Sequence, residues 1–183
     1  VDSVWLVPHF KKMLYDNAQL ARVFLHLFQA TGDEFYKRIA VETLEYVRRE
    51  MLDARGGFYS TQDADSEGVE GKFFVWTEAE ITRILGEEAS EIFCRIYDVS
   101  EEGNFEEKNI LHPILTLEQA RKLFRRDLKA IESLVAAAKM KLFEEREKRI
   151  KPFRDEKILT SWNGLMLSGL ADAIKISRNP AYL

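Results

Sequence analysis

One cysteine stands in 183 residues, so Cys94 has no intramolecular disulfide partner. It sits in the apolar pattern Ile92-Phe93-Cys94-Ile96-Tyr97, which reads as a buried core thiol. A lone thiol without a secretory leader favours a reducing cytoplasm. Val1-Asp2-Ser3 offers no basic n-region followed by an apolar one. No apolar run approaches the roughly 18 residues that span a bilayer. Histidines number three and are scattered, and no Cys/His cluster has zinc spacing. Basic residues are in deficit, with net charge -4 and no basic stripe, which argues against nucleic acid. Metal, cofactor, nucleic-acid and membrane roles therefore receive no support.

What is present is apolar content of 46%, enough for a sizeable core. Most of it recurs at helical spacing. Pro8 to Ala30 reads as one long helix, stopped by Thr31-Gly32, with Asp33 capping the next from Glu34 to Leu52. Thr77 with Glu80 forms a capping box for Glu78 to Leu85. Further helices are expected over Glu87 to Tyr97, Thr116 to Leu123, Asp127 to about Ile150 and Trp162 to Ser177. Glu102-Gly103-Asn104-Phe105 reads as a turn and Asn109 to Pro113 as extended. The exception is a polar block, Gly56 to Gly68. Phe58 to Thr61 and Lys72 to Trp76 flank it and read as two short strands. A hairpin loop between them would gather Asp63, Asp65, Glu67 and Glu70. Such a loop suits a solvated turn, a cation site, a pair of acid/base carboxylates, or a polyol site. The offsets exclude an EF-hand.

The sequence also echoes itself. Asn17-Ala18-Gln19-Leu20-Ala21 through Tyr36 parallels Asn163-Gly164-Leu165-Met166-Leu167 through Tyr182, at one offset (163 − 17 = 182 − 36 = 146). Repetition of apolar helix, break and second helix suggests an α/α toroid, with inner and outer helices alternating around a cavity.

Four segments carry a specific resemblance. They are Trp5 to Leu20; Gln62 to Gly68 with Gly71 to Trp76; Gly103-Asn104-Phe105 with Asn109-Ile110-Leu111; and Lys157 to Met166. They resemble the large bacterial, archaeal and animal proteins of the spermatogenesis-associated protein 20 family. Lys11 and Val69 depart from the family pattern, which commonly has Glu at the first and an acidic or small residue near the second. The resemblance implies an N-terminal thioredoxin-like domain followed by a six-hairpin (α/α)6 toroid like those of N-acylglucosamine 2-epimerase and cellobiose epimerase. Residues 1–183 would be part of that toroid, with one small β-hairpin, and without the thioredoxin-like domain or the later hairpins. The start without Met and the end at Leu183 in mid-pattern fit a piece of something longer.

The residues expected to carry chemistry follow. His9, Lys12 and Asp16 stand at i, i+3 and i+7, one helix face, with Trp5 joining if the helix reaches back. In sugar epimerases a His moves the proton beside the carbonyl carbon, a task its near-neutral pKa suits. His9, Asp63 and Asp65 are the catalytic candidates. Trp5, Lys12, Asp16, Asn17, Gln62, Trp76, Asp155, Lys157, Trp162 and Asn163 are the substrate-binding candidates, Trp76 and Trp162 as stacking platforms, Asn17 and Asn163 with helix capping as the rival role. His26 and His112 are assigned nothing. The function expected is a carbohydrate-directed epimerase or isomerase domain. A hydrolase using Asp63 or Asp65, and a non-catalytic scaffold serving a thioredoxin-like domain, are the alternatives.

Overall fold

The computed structural model describes residues 2–177. These divide into two compact units: residues 10–64 with those from 152 onward, and residues 2–9 with 65–151. Seven helices lie among the described residues, so the all-α expectation holds.

The first unit is built on α1 (Leu14–Thr31), α2 (Glu34–Met51) and α7 (Thr160–Ser177). Its core is written in one spacing. Leu14, Ala18, Ala21 and Leu25 on α1 and Ala40, Leu44, Val47 and Met51 on α2 each follow i, i+4, i+7, i+11, and all are buried. Gly32, at φ 71, ends α1 in the left-handed conformation, and Asp33 then accepts from the Phe35 N–H to cap α2. The two helices thus form an antiparallel hairpin. On the other flank of α1, Tyr15 meets Trp162, Gly169 lies under the Ala18 carbonyl, and Arg22 bonds Asp172. Contacts that advance together along both helices mean that α1 and α7 run parallel. A Cβ at Gly169 would stand 3.2 Å from that carbonyl, so the bare glycine sets how closely they approach.

The sequence echo has a structural counterpart. Asn17 and Asn163 are each the fourth residue of their helix, and each donates from Nδ2 to the carbonyl four residues back, Met13 at 2.8 Å and Leu159 at 3.0 Å. Asn163 does more. Its Oδ1 accepts from the Phe58 N–H at 2.7 Å, and its Nδ2 also donates to the Phe58 carbonyl at 3.0 Å. It therefore grips the extended chain that follows α2. The later part of the echo, Arg178 to Tyr182, lies outside the described residues.

Three two-residue strands complete this unit. β1 (Lys12–Met13), β2 (Thr61–Gln62) and β5 (Arg154–Asp155) form an antiparallel sheet in the order β1-β2-β5. Lys12 pairs with Gln62 and Gln62 with Arg154; Met13 pairs with Thr61 and Thr61 with Asp155. This sheet overturns two expectations. The first helix starts at Leu14 rather than Pro8, because Lys12 and Met13 are committed to a ladder. The segment from Phe58 does not pair with Lys72 to Trp76 either. The local hairpin is instead β3 (Asp65–Ser66) with β4 (Val69–Glu70), in the second unit. Its turn residues Glu67 and Gly68 both have positive φ, 54 and 76, which matches the twist of a tight hairpin. Lys72 to Trp76 is turn and bridge, and Trp76 pairs with Asn109.

The second unit packs α3 (Glu78–Leu85), α4 (Glu87–Ile96), α5 (Leu117–Phe124) and α6 (Leu128–Arg146). The capping box of Thr77 and Glu80 is present, and Thr116 with Gln119 makes a second. Asp127 caps α6, which ends at Arg146, short of Ile150. Ile131, Val135, Ala138 and Leu142 of α6 repeat the i, i+4, i+7, i+11 stripe and join two clusters. Trp76, Ile81, Leu85, Phe93 and Cys94 form one; Ile92, Ile96 and Ala120 form the other. Cys94 is buried as expected, and burial pushes its thiol up to about 11. Asn109 is buried too, with its amide bonded to the Trp76 and Ser100 carbonyls and the Ser100 N–H. No helix among the described residues is long and apolar enough to cross a membrane.

The two asparagines should differ in cost. Asn163→Ala strips partners from the Phe58 backbone and is expected to cost about 2 kcal/mol, while Asn17→Ala, losing one bond, costs under about 1 kcal/mol. Urea unfolding of both variants checks this; equal losses would contradict the clamp.

Candidate functional site

At the N-terminal ends of α1 and α7 the first unit collects a polar rim around an aromatic pair. Tyr15 and Trp162 pack edge to face, ring centroids 4.8 Å apart and planes at 66°. Each stands in the first turn of its helix, and each is half-buried. Asp16, the next residue of α1, is exposed, and its carboxylate has no partner among the described residues. Lys12 donates from Nζ to the Phe10 carbonyl at 2.6 Å. Asp155 pairs with Lys157, Nζ to Oδ2 at 3.0 Å, and its Oδ1 accepts the Lys157 N–H. Asp63 follows β2, its Oδ1 accepting from the Ala64 N–H at 2.8 Å and its own N–H donating to the Phe153 carbonyl.

Gln62 and Asn163 belong to the framework of this end. Gln62 is buried and accepts from the Tyr46 hydroxyl at 2.6 Å. Asn163 holds Phe58. Nearby, Arg154 spreads its guanidinium over the Tyr59 ring at 4.3 Å and donates to the Glu50 carbonyl, and Tyr59 donates to Asp53. The Tyr59 hydroxyl, first, and the Arg55 backbone N–H hold the Asp53 carboxyl below its ordinary value.

The other candidates lie in the second unit. Trp5 is 85% exposed with φ 61, and the Asp2 carboxylate caps the Leu6 and Val7 N–H groups beside it. His9 is exposed and lies outside any helix. Asp65 is exposed in β3, opposite Glu70. The helix-face row of His9, Lys12 and Asp16 does not exist: of the three only Asp16 is helical, because β1 takes Lys12 and the chain before it is extended. Trp76 is a second correction. It is 2% exposed, and the Arg149 guanidinium lies 3.9 Å from its ring centre, so it has no face for a sugar. Among the described residues no His/Cys/Asp/Glu group fits a metal ion.

Two residues at this end escaped the sequence reading. Tyr15 was visible in the motif but has no signal of its own until α7 packs beside it. Arg154 sits in a two-residue strand, too short for any periodicity. His26, assigned nothing from the sequence, has its Nε2 3.5 Å from Asp172.

These features define an all-helical chain with a repeated helix start and a polar, aromatic end. No family model matches it. It is similar to human spermatogenesis-associated protein 20, which is 38% identical over 93% of this chain. The chain spans 25% of that protein's length. Two solved structures align weakly. A family 76 glycoside hydrolase from a bovine Bacteroides thetaiotaomicron strain shares 13% identity at a TM-score of 0.34, over 97% of this chain and 33% of its own. A D-mannose isomerase shares 14% at 0.32, over 94% and 38%. At these scores the alignments carry no argument about shape or reaction.

One titration tests the rim. Lys157, by its side-chain and then its backbone hydrogen bond, holds the Asp155 carboxyl below its ordinary value. A depressed carboxyl favours the folded state above its unfolded pKa, and that contribution is lost as pH falls through the folded pKa. Lys157→Gln should therefore move Asp155 up toward the ordinary carboxylate value, read from its carboxyl carbon shift against pH. An unchanged midpoint would mean that the pair is not formed in solution.

Proposed function

We propose that this chain is a carbohydrate-directed segment of an α/α toroid, and that it receives a sugar at the N-terminal end of α1 and α7. The Tyr15–Trp162 pair is the observation that carries this reading. A sugar offers a C–H face that packs on an aromatic ring and an edge of hydroxyls that bond charged groups. Asp16, Asp63 and the Asp155–Lys157 pair supply such groups on the same unit. Parallel α1 and α7, with α2 antiparallel beside α1, is the local arrangement that successive hairpins of a toroid need.

The finer reading is epimerisation or isomerisation, with His9 passing the proton beside the carbonyl carbon. It rests on the resemblance to the epimerase barrels, and it requires His9 to reach the sugar. A hydrolase would instead need two opposed carboxyl groups, one as acid and the other as nucleophile or base, with Asp63 or Asp65 supplying one of them. A scaffold would present substrates to a thioredoxin-like domain and need none of these.

Full-length protein and its variants, exposed to a panel of mono- and disaccharides, separate the readings. Trp162→Ala should weaken binding by roughly tenfold, the scale of losing a stacked ring. His9→Asn should cut deuterium wash-in at the sugar carbon by roughly a hundred- to ten-thousand-fold, the usual share of a general base. Wash-in undiminished in His9→Asn would overturn the isomerase reading. Release of reducing sugar that fails in Asp63→Asn or Asp65→Asn would replace it with the hydrolase. Binding indifferent to Trp162→Ala would remove the sugar site itself.

A further inference from the structure

The second unit holds a cavity of about 370 Å³ whose charge runs against that of the chain. Lys72, Lys108, Lys148 and Arg149 line it against only Glu67 and Glu80, in a protein of net charge -4. We propose that this cavity is an anion site that takes the phosphate group of a small phosphorylated molecule.

Arg149 is the fixed element. Its guanidinium lies 3.9 Å from the centre of the Trp76 ring, and one terminal nitrogen donates to the carbonyls of Phe73 at 3.1 Å and Val75 at 2.8 Å. Neutral carbonyls orient a guanidinium without cancelling its charge. The nearest carboxylate oxygen, on Glu80, stands 3.5 Å away, and the other oxygen of Glu80 is committed to the Thr77 cap. Burial pulls the Arg149 guanidinium below its ordinary value, against the attraction of Glu80 and Glu145. A planar fork held in this way suits phosphate oxygens.

Lys108 is the second element. Its backbone is pinned by the bridge to Phe105 and by the Asn104 N–H, while its amine has no partner among the described residues. The remaining cations are lightly held. Lys72 pairs with Glu67 at 2.8 Å and Lys148 with Glu145 at 2.6 Å, both in partly exposed pairs. Exposed pairs of this kind contribute little and exchange partners readily. A dianion entering the cavity therefore meets one unpaired cation, Lys108, the Arg149 guanidinium with its single 3.5 Å carboxylate contact to Glu80, and two cations that can turn to it. A cavity of this size admits a small molecule.

The test titrates the chain at low salt with inorganic phosphate, glucose 6-phosphate and glucose, following backbone amide shifts. Saturable shifts at Lys72, Lys108 and Arg149 are expected with phosphate and with glucose 6-phosphate, and none there with glucose. Tighter binding of the phosphosugar identifies an organic phosphate as the ligand; equal binding identifies the free ion. Lys108→Gln should weaken binding by about tenfold, the cost of one charge-assisted hydrogen bond, while Lys129→Gln on the exposed face of α6 leaves it unchanged. The absence of saturation up to ~20 mM phosphate, where only the weakest specific sites stay unfilled, would overturn the proposal. Equal weakening in both variants would overturn it as well, since it would show diffuse charge attraction rather than a site.

Discussion

Three two-residue strands from distant parts of the chain hold the first unit together. Lys12–Met13, Thr61–Gln62 and Arg154–Asp155 meet in one sheet, although most of the second unit lies between the last two in sequence. Strands this short have no stability of their own. They persist because each is continuous with something rigid. β1 runs directly into α1, β2 follows the Phe58 clamp, and β5 leads within a few residues to α7. Additional bonds tighten the junctions: the Leu14 N–H to the Ser60 carbonyl, the Ser60 N–H to the Asp155 carbonyl, and the Asp63 N–H to the Phe153 carbonyl. The starts of α1 and α7, and every polar side chain on them, take their positions from this seam.

The seam also separates residues that hold the fold from residues left at the surface. Gln62, Asn163 and Arg154 direct polar atoms to Tyr46, Phe58 and the Glu50 carbonyl, while the Arg154 Nε stays buried without a hydrogen-bond partner among the described residues. An unpaired polar group buried there would cost the full price of its desolvation. Asp16 and the Asp155–Lys157 pair face solvent instead. The aromatic pair of Tyr15 and Trp162 lies between these classes, half in the core and half at the surface, where an amphipathic ligand would meet it.

The helices were legible in the sequence because their signals are local. Thr77 with Glu80, Asp33 and Asp127 cap where their side chains and the apolar spacing say they should. The Asn17 and Asn163 echo was legible as well, and it marks equivalent positions on parallel neighbours. The small sheet was not. Lys12 and Met13 fit a helical pattern, and only their partners Gln62 and Thr61, far along the chain, draw them into a strand. That long-range pairing removed His9 and Lys12 from the expected helix face. Trp76 illustrates a different limit. Its aromatic character is visible in sequence, but the cation that covers it, Arg149, comes from the turn that follows α6, and nothing local joins the two.

The seam fixes the starts of α1 and α7, and amide hydrogen exchange of the intact chain measures it most directly. If the three strands are joined as described, the amides of Leu14, Ser60, Gln62 and Asp63 exchange as slowly as those of the buried α1 residues Ala18 and Ala21. They would then open only with the unit as a whole. Exchange of Gln62 and Asp63 at the rate of a free loop, with α1 still protected, would mean that the sheet does not hold the helix starts together.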